Sequence, residues 1–214
     1  NNRLMKKTDP LGNQMTYVYD NLSRLIEETD PKGNSTYYEY DLLSRKTKIT
    51  DALGYVQIYS YDAEDNKIST IDQNGNMRES EFDSRNRLIK VTKPLQQMVE
   101  FIYDNVGNKI ETKLNGTTYE TYTSNELNQL VSKTNALSEV TTFSFDSLGN
   151  PIQEVSFDGL IDSYEYDKDN RLVKQYDNEG VLAELNYDGN GNIIEEIKFG
   201  LLTKHTFNPL NQLV

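Results

Sequence analysis

A chain of 214 residues has room for one or two domains with a core, yet only 36% of this one is hydrophobic, Trp and Cys are absent, and Tyr alone supplies 15 residues. Its formal charge of −12, spread along the length, excludes nucleic acid, heparin and anionic membrane surfaces as partners, because each would be repelled. The lack of Cys removes disulfides, thiol chemistry and thiolate metal sites, and with neither a long apolar run nor an apolar stretch in the opening "NNRLMKKTDP", no membrane span or signal peptide is expected in this segment.

In chain order, Asp9-Pro10-Leu11-Gly12 reads as a turn, and "QMTYVY" as a strand that ends on the dyad Tyr19-Asp20. The same phrase then recurs every 21 residues: Tyr40-Asp41, Tyr61-Asp62, Phe82-Asp83, Tyr103-Asp104, a degenerate Ser124-Asn125, Phe145-Asp146, Tyr166-Asp167 and Tyr187-Asp188, with a last step of 20 to Phe207-Asn208. A fixed period over nearly the whole chain is a repeat architecture, of about ten copies here. Four further columns keep the register. Two residues before each dyad aromatic stand mostly rings, among them Tyr17, Tyr38, Tyr59 and Tyr164. Three residues after the acidic member come only Ser, Asp, Asn or Gly, the residues of tight turns. Six after it, every copy is β-branched, from Ile26 to Val214, which marks a strand. Thirteen after it comes a second turn, at Gly12, Gly33, Gly54, Gly75, Gly159 and Gly180, with Gln96 and Ser138 as replacements and Gly116 and Gly200 one place early.

Each unit therefore reads strand, four-residue turn, strand, four-residue turn. In "STYYEYD" the alternation puts Tyr38 and Tyr40 on one face and Glu39 on the other, as in a half-buried strand. Short turns demand antiparallel neighbours, so the fold class is all-β: roughly twenty strands in one meander. At about 4.8 Å per strand this is a sheet on the order of 95 Å wide, which strand twist forces to curl, close or split. Sixteen of the 22 aromatics fill the two ring columns, making ring ladders the expected principal source of buried area.

Chemistry is sparse. His205, the one histidine, occupies a column filled mostly by rings and is read as a packing residue. With one His and no Cys, neither a nucleophile triad nor a zinc site can be assembled from the usual parts. The dyad carboxylates recur at every repeat, whereas a catalytic pair is a single local constellation. They are read as turn caps accepting N–H groups two or three residues on, a task that Asn125 and Asn208 can also perform. "DGNGN" at Asp188–Asn192 imitates the start of a calcium loop but has Ile193 where Gly is needed and Phe199 where Glu is needed. No catalytic residue, cofactor or metal is assigned.

The columns together, with Tyr-Asp, a turn, Arg-Leu or Asn-Lys-Ile, then Asp-x-x-Gly-Asn, resemble the RHS/YD-repeat family, most clearly in "YDNLSRLIEETDPKGN", "YDKDNRLVKQYDNEG" and "YDGNGNIIEEI". The resemblance covers essentially the whole chain. It implies a spiralled β-sheet winding into a hollow shell, as in bacterial Rhs and wall-associated polymorphic toxins, the cocoon component of insecticidal toxin complexes, and teneurins. In the bacterial members that shell encloses a variable C-terminal toxin. The closing core segment where aspartate-dependent self-cleavage occurs in those proteins has no counterpart here, and no cleavage residue carries over. Because "NNRLM" and "PLNQLV" fall at the same phase, residues 1–214 are read as an excerpt of a longer array, without a second domain. The expected role is a non-catalytic shell segment of a secreted or surface-delivered bacterial toxin, its partners being the rest of its own shell and the enclosed toxin. The alternative is an extracellular adhesion module for a cell-surface glycan or protein receptor.

Overall fold

The computed structural model describes residues 3–214. The backbone divides into two compact units, one running to Ile102 and taking in Lys113–Thr117, the other made of Tyr103–Thr112 and Thr118–Val214. In the first lie β1 (Lys6–Thr8), β2 (Gln14–Tyr19), β3 (Leu25–Thr29), β4 (Ser35–Tyr40), β5 (Lys46–Thr50), β6 (Val56–Tyr61), β7 (Lys67–Ile71), β8 (Met77–Phe82), β9 (Leu88–Lys93) and most of β10 (Gln97–Tyr103). Each pairs antiparallel with the next. After β11 (Lys109–Leu114), which contributes residues to both units, the second holds β12 (Thr117–Ser124), β13 (Leu130–Asn135), β14 (Val140–Phe145), β15 (Pro151–Val155), β16 (Ile161–Tyr166), β17 (Leu172–Tyr176), β18 (Val181–Tyr187), β19 (Ile193–Lys198) and β20 (Leu201–Lys204). These too pair antiparallel in sequence order. The chain is all-β.

The turns are one residue longer than the spacing suggests. Between β2 and β3 lie five residues, Asp20 to Arg24, closed by the Asp20 N–H donating to the Arg24 carbonyl at 2.9 Å and the Ser23 N–H donating to the Asp20 carbonyl at 3.0 Å. Ser23 is left-handed, with φ 68°. This is a type I turn followed by a left-handed residue that makes a bulge, and the bulge appears as a register shift between Val18 and Tyr19. All ten residues of that column, from Ser23 to Asn211, have positive φ, which explains the restriction to Ser, Asp, Asn and Gly. The strand after the turn begins at Leu25, one residue before the β-branched column.

Most of the opposite turns use the same geometry where glycine is in register, as at Asp30 to Asn34, but Asp177 to Gly180 is a four-residue turn closed by the Asp177 N–H donating to the Gly180 carbonyl at 2.9 Å. The early glycines have a separate cause. Asn115-Gly116 and Phe199-Gly200 are two-residue loops with positive φ at both positions, the type I′ hairpin whose backbone matches strand twist. Between β9 and β10, Pro94–Gln96 form a single 3-10 turn in which Leu95 and Gln96 are left-handed.

Along β4, Tyr38 and Tyr40 are half-buried while Tyr37 and Glu39 are exposed, the alternation of a sheet with one covered face. That cover is thin. Among the described residues the only buried apolar side chains are Val91 and Ala183, joined by Thr112, Thr141 and Ser163. The ladder rings are half-buried rather than enclosed.

Candidate functional site

The dyad acid lies at the centre of a repeated hydrogen-bond cluster at each turn. Asp20 Oδ1 accepts from the backbone N–H of Leu22 and of Arg24, both at 2.9 Å, and its Oδ2 accepts from Arg24 Nε at 2.6 Å. Asp41 and Asp83 do the same with Arg45 and Arg87, as does Asp167 with Arg171. At Asp62, Asp104, Asp146 and Asp188 the side-chain donor is instead an amide, of Asn66, Asn108, Asn150 and Asn192. The contacts fall two and four residues on, not two and three, because the left-handed residue turns its N–H back to the dyad carbonyl. Asp104 is an exception that also reaches Gly107. Asn125 and Asn208 reproduce the backbone contacts without charge. Asp9, Asp30 and Asp72 build equivalent clusters in the opposite turns.

These bonds hold the carboxyls below the usual carboxylate range. At Asp62, Asp146, Asp167 and Asp188 the leading cause is the side-chain donor four residues on. At Asp20 and Asp83 it is the backbone N–H of that residue. At Asp41 and Asp104 burial pushes upward, and the donors on Arg45 and Asn108 outweigh it. A general acid or base working near neutrality needs the opposite shift.

The residue four places after the dyad acid also reaches forward to the next repeat. Arg24 Nη1 donates to the Asp41 carbonyl at 2.9 Å, Arg45 Nη1 to the Asp62 carbonyl at 2.7 Å, and Arg171 Nη1 to the Asp188 carbonyl at 3.3 Å. The same guanidinium groups lie over the following dyad rings, Arg24 over Tyr40 at 5.0 Å, Arg45 over Tyr61 at 4.9 Å and Arg171 over Tyr187 at 4.6 Å, within cation–π range. Where the position is Asn, its amide bonds the left-handed residue of the next turn instead: Asn66 to Asn86 at 3.2 Å, Asn108 to Asn128 at 2.9 Å and Asn150 to Asn170 at 2.7 Å. The dyad hydroxyls bind the preceding strand too. Tyr40 donates to the Leu25 carbonyl at 2.7 Å, Tyr61 to that of Lys46 at 2.9 Å and Tyr187 to that of Leu172 at 2.7 Å. Burial raises Tyr40 and Tyr61 above the ordinary phenol range.

A turn whose first residue is a capped Asp or Asn and whose fourth is left-handed thus recurs at one 21-residue period. The RHS repeat model matches residues 1–36, 24–56 and 125–161. The chain therefore carries RHS repeats over these residues. A search of curated protein sequences finds none with significant similarity. Among solved structures, the chain is similar to a TcdB2-TccC3-Cdc42 crystal structure at 13% identity and TM-score 0.40, over 98% of this chain and 16% of that one. It is also similar to a Photorhabdus luminescens Tc holotoxin pore at 14% identity and TM-score 0.33, over 99% and 17%, and to a porin-like protein from Bacteroides uniformis at 15% and 0.34, over 80% and 92%. The chain thus spans about a sixth of the length of the Tc chains.

In these repeats the dyads and turn glycines occupy the turns and strand ends described above. His205 is half-buried next to β20, its backbone N–H donating to the Ile194 carbonyl at 2.9 Å. Among the described residues no group of three His, Asp or Glu is placed to hold a metal. The linking column, Arg24 to Gln212, is visible in the sequence as the Arg or Asn before each strand, but its forward reach is not.

Proposed function

We propose that residues 1–214 are one continuous YD-repeat array of about ten copies, a non-catalytic wall segment of a longer RHS shell that encloses and helps deliver a C-terminal toxin. The shell belongs to a protein secreted by, or displayed on, a bacterium. One observation carries this reading: successive repeats are linked by side chains donated to the next turn, at a spacing of 17 residues for Arg24, Arg45 and Arg171 and of 20 for Asn66, Asn108 and Asn150. A wall assembled this way is held at its rim by neighbour-to-neighbour bonds and can extend repeat by repeat without a thick core, the energetic pattern of a repeat protein. The depressed dyad carboxyls support a structural rather than a catalytic use. No helix among the described residues is long and apolar enough to cross a membrane. The partners in this reading are the flanking repeats and the cargo.

Limited proteolysis of the full-length protein, followed by mass spectrometry, tests confinement. The C-terminal segment should survive as long as the repeats stay intact. Its immediate digestion while the repeats remain whole would overturn the proposal.

A further inference from the structure

The ring column two residues before each dyad holds Tyr, Phe, Leu185 or His205 in nine copies, but Ser80 in the copy that ends on Phe82. Ser80 is a missing rung. Strand alternation puts Arg78 on the same face of β8 as Ser80 and the half-buried Phe82, and Arg78 stands opposite Thr70 of β7, which in turn stands opposite Tyr59 of β6. Lys67 reaches this face from the register shift beside Tyr61, its Nζ lying over the Tyr59 ring at 4.5 Å. At the equivalent place Lys109, on β11, lies over the ring of Tyr122 on the following strand at 4.0 Å; Lys67 has Ser80 there instead. The gap opens as a cavity of about 300 Å³ whose walls include Lys67, Thr70, Arg78 and Ser80, at the lower end of the size range of small-ligand sites.

These four side chains are all donors, and none is engaged by an acceptor. Among the described residues none of them makes a side-chain hydrogen bond or an ion pair, and Lys67 and Arg78 are exposed. Arg78 is the one basic residue in its column, which holds Thr36, Gln57, Val99 and Thr141 in other copies. The only carboxylates on β7, β8 and β9 are Glu79 and Glu81, which alternate onto the opposite face, where Glu81 binds Lys90 at 2.8 Å. A chain of net charge −12 thus presents two unneutralised cations on adjacent strands of one face.

We propose that this notch binds a phosphate group, free or carried as a monoester. The guanidinium fork of Arg78 matches two oxygens of one oxyanion, which is all that a carboxylate has. The Lys67 ammonium and the hydroxyls of Thr70 and Ser80 call for a further acceptor on the same centre, and a phosphate monoester supplies a third terminal oxygen. The charge of the rest of the chain is screened beyond about 10 Å, so the local cluster governs a compact anion. A long polyanion meets the acidic surface around it. The site does not rest on the confinement reading, since it needs only β6, β7 and β8 of the first unit.

The test is equilibrium dialysis of the full-length protein at low ionic strength against inorganic phosphate, phosphoserine and N-acetylaspartate. Phosphate or phosphoserine should bind saturably: phosphate alone assigns the site to the free ion, phosphoserine alone to a carried group. Arg78→Gln should weaken that binding about tenfold through loss of the charged fork. Ser80→Tyr, which restores the missing rung and closes the gap, should abolish it with circular dichroism unchanged, and Lys32→Gln, at an exposed turn of the same unit, should leave it as it was. Absence of saturable binding of both phosphate and phosphoserine, N-acetylaspartate held as tightly as either, or binding indifferent to Arg78→Gln or to Ser80→Tyr would each overturn the proposal.

Discussion

Tyr40 lets the two contributions of a ladder ring be separated. Its hydroxyl donates to the Leu25 carbonyl at 2.7 Å, its ring lies under the Arg24 guanidinium at 5.0 Å, and it is half-buried on the covered face of β4. Tyr40→Phe removes only the hydrogen bond, and should cost about 1 kcal/mol, the net worth of one such bond. Tyr40→Ala also removes the cation–π contact, about 0.5–1 kcal/mol at a partly exposed site, and the apolar packing of the ring. A half-buried ring gives up less than a core aromatic, so the total should be about 2–4 kcal/mol, at or below the core range. Tyr37, its neighbour on the opposite face, is 48% exposed; Tyr37→Ala should cost about 1 kcal/mol or less, the span of strand propensity. Urea titrations followed by both circular dichroism and tyrosine fluorescence provide the measurement, two probes being needed because repeat arrays can lose two-state behaviour. Equal costs for Tyr37→Ala and Tyr40→Ala would refute the assignment of faces, and a Tyr40→Phe cost matching Tyr40→Ala would show that the ring itself contributes nothing.

Acid should weaken the array as a whole: Asp9, Asp20, Asp30, Asp41, Asp62, Asp72, Asp83, Asp104, Asp146, Asp167 and Asp188 are all held below the ordinary value of 3.8. Their contribution is therefore complete above the unfolded-state value and is lost as pH falls through the lower folded values, so urea midpoints should be flat from pH 7 to 5 and fall steeply below about pH 4. At the other end, Tyr38, Tyr40, Tyr61, Tyr164 and Tyr166 are raised above 10.0 by burial; their contribution is present below the unfolded value and lost as pH rises through the folded one, which ultraviolet titration of the phenolates against the urea-unfolded chain should show as a displaced alkaline transition. Gly33 has φ 86° with open space around it, so Gly33→Ala should cost about 1–2 kcal/mol from backbone strain alone, while Ser44→Gly, at φ 66°, should stabilise by up to about 1 kcal/mol; thermal melts of the pair check both signs. Arg45→Met removes the bonds to Asp41, the Asp62 carbonyl and Asp65, and should speed amide exchange in the Asp62–Asn66 turn more than in the Asp104–Asn108 turn. Uniform exchange across both turns would show that the link between repeats does not act locally.

Much of the array was legible because its chemistry is local. A residue forced to positive φ, a cap bonding its own turn and an aromatic at a strand end are set by neighbours within about four positions, so the columns at Ser23 and Gly33 announce two turns per repeat before any coordinates exist. Local reasoning fell short where geometry adds a residue or a contact. The bulge at Val18/Tyr19 lengthened the turn to five residues, and the left-handed residue moved the second cap contact from the third position to the fourth.

From the sequence alone came the strand and turn period and the all-β class, since each follows from short-range backbone preference repeated at one interval. Only the tertiary structure decided that Arg24 bonds Asp41 and stacks on Tyr40 and that the rings are half-covered. Those pairings join residues 16 and 17 positions apart, and strand register, which no single segment encodes, is what brings them together.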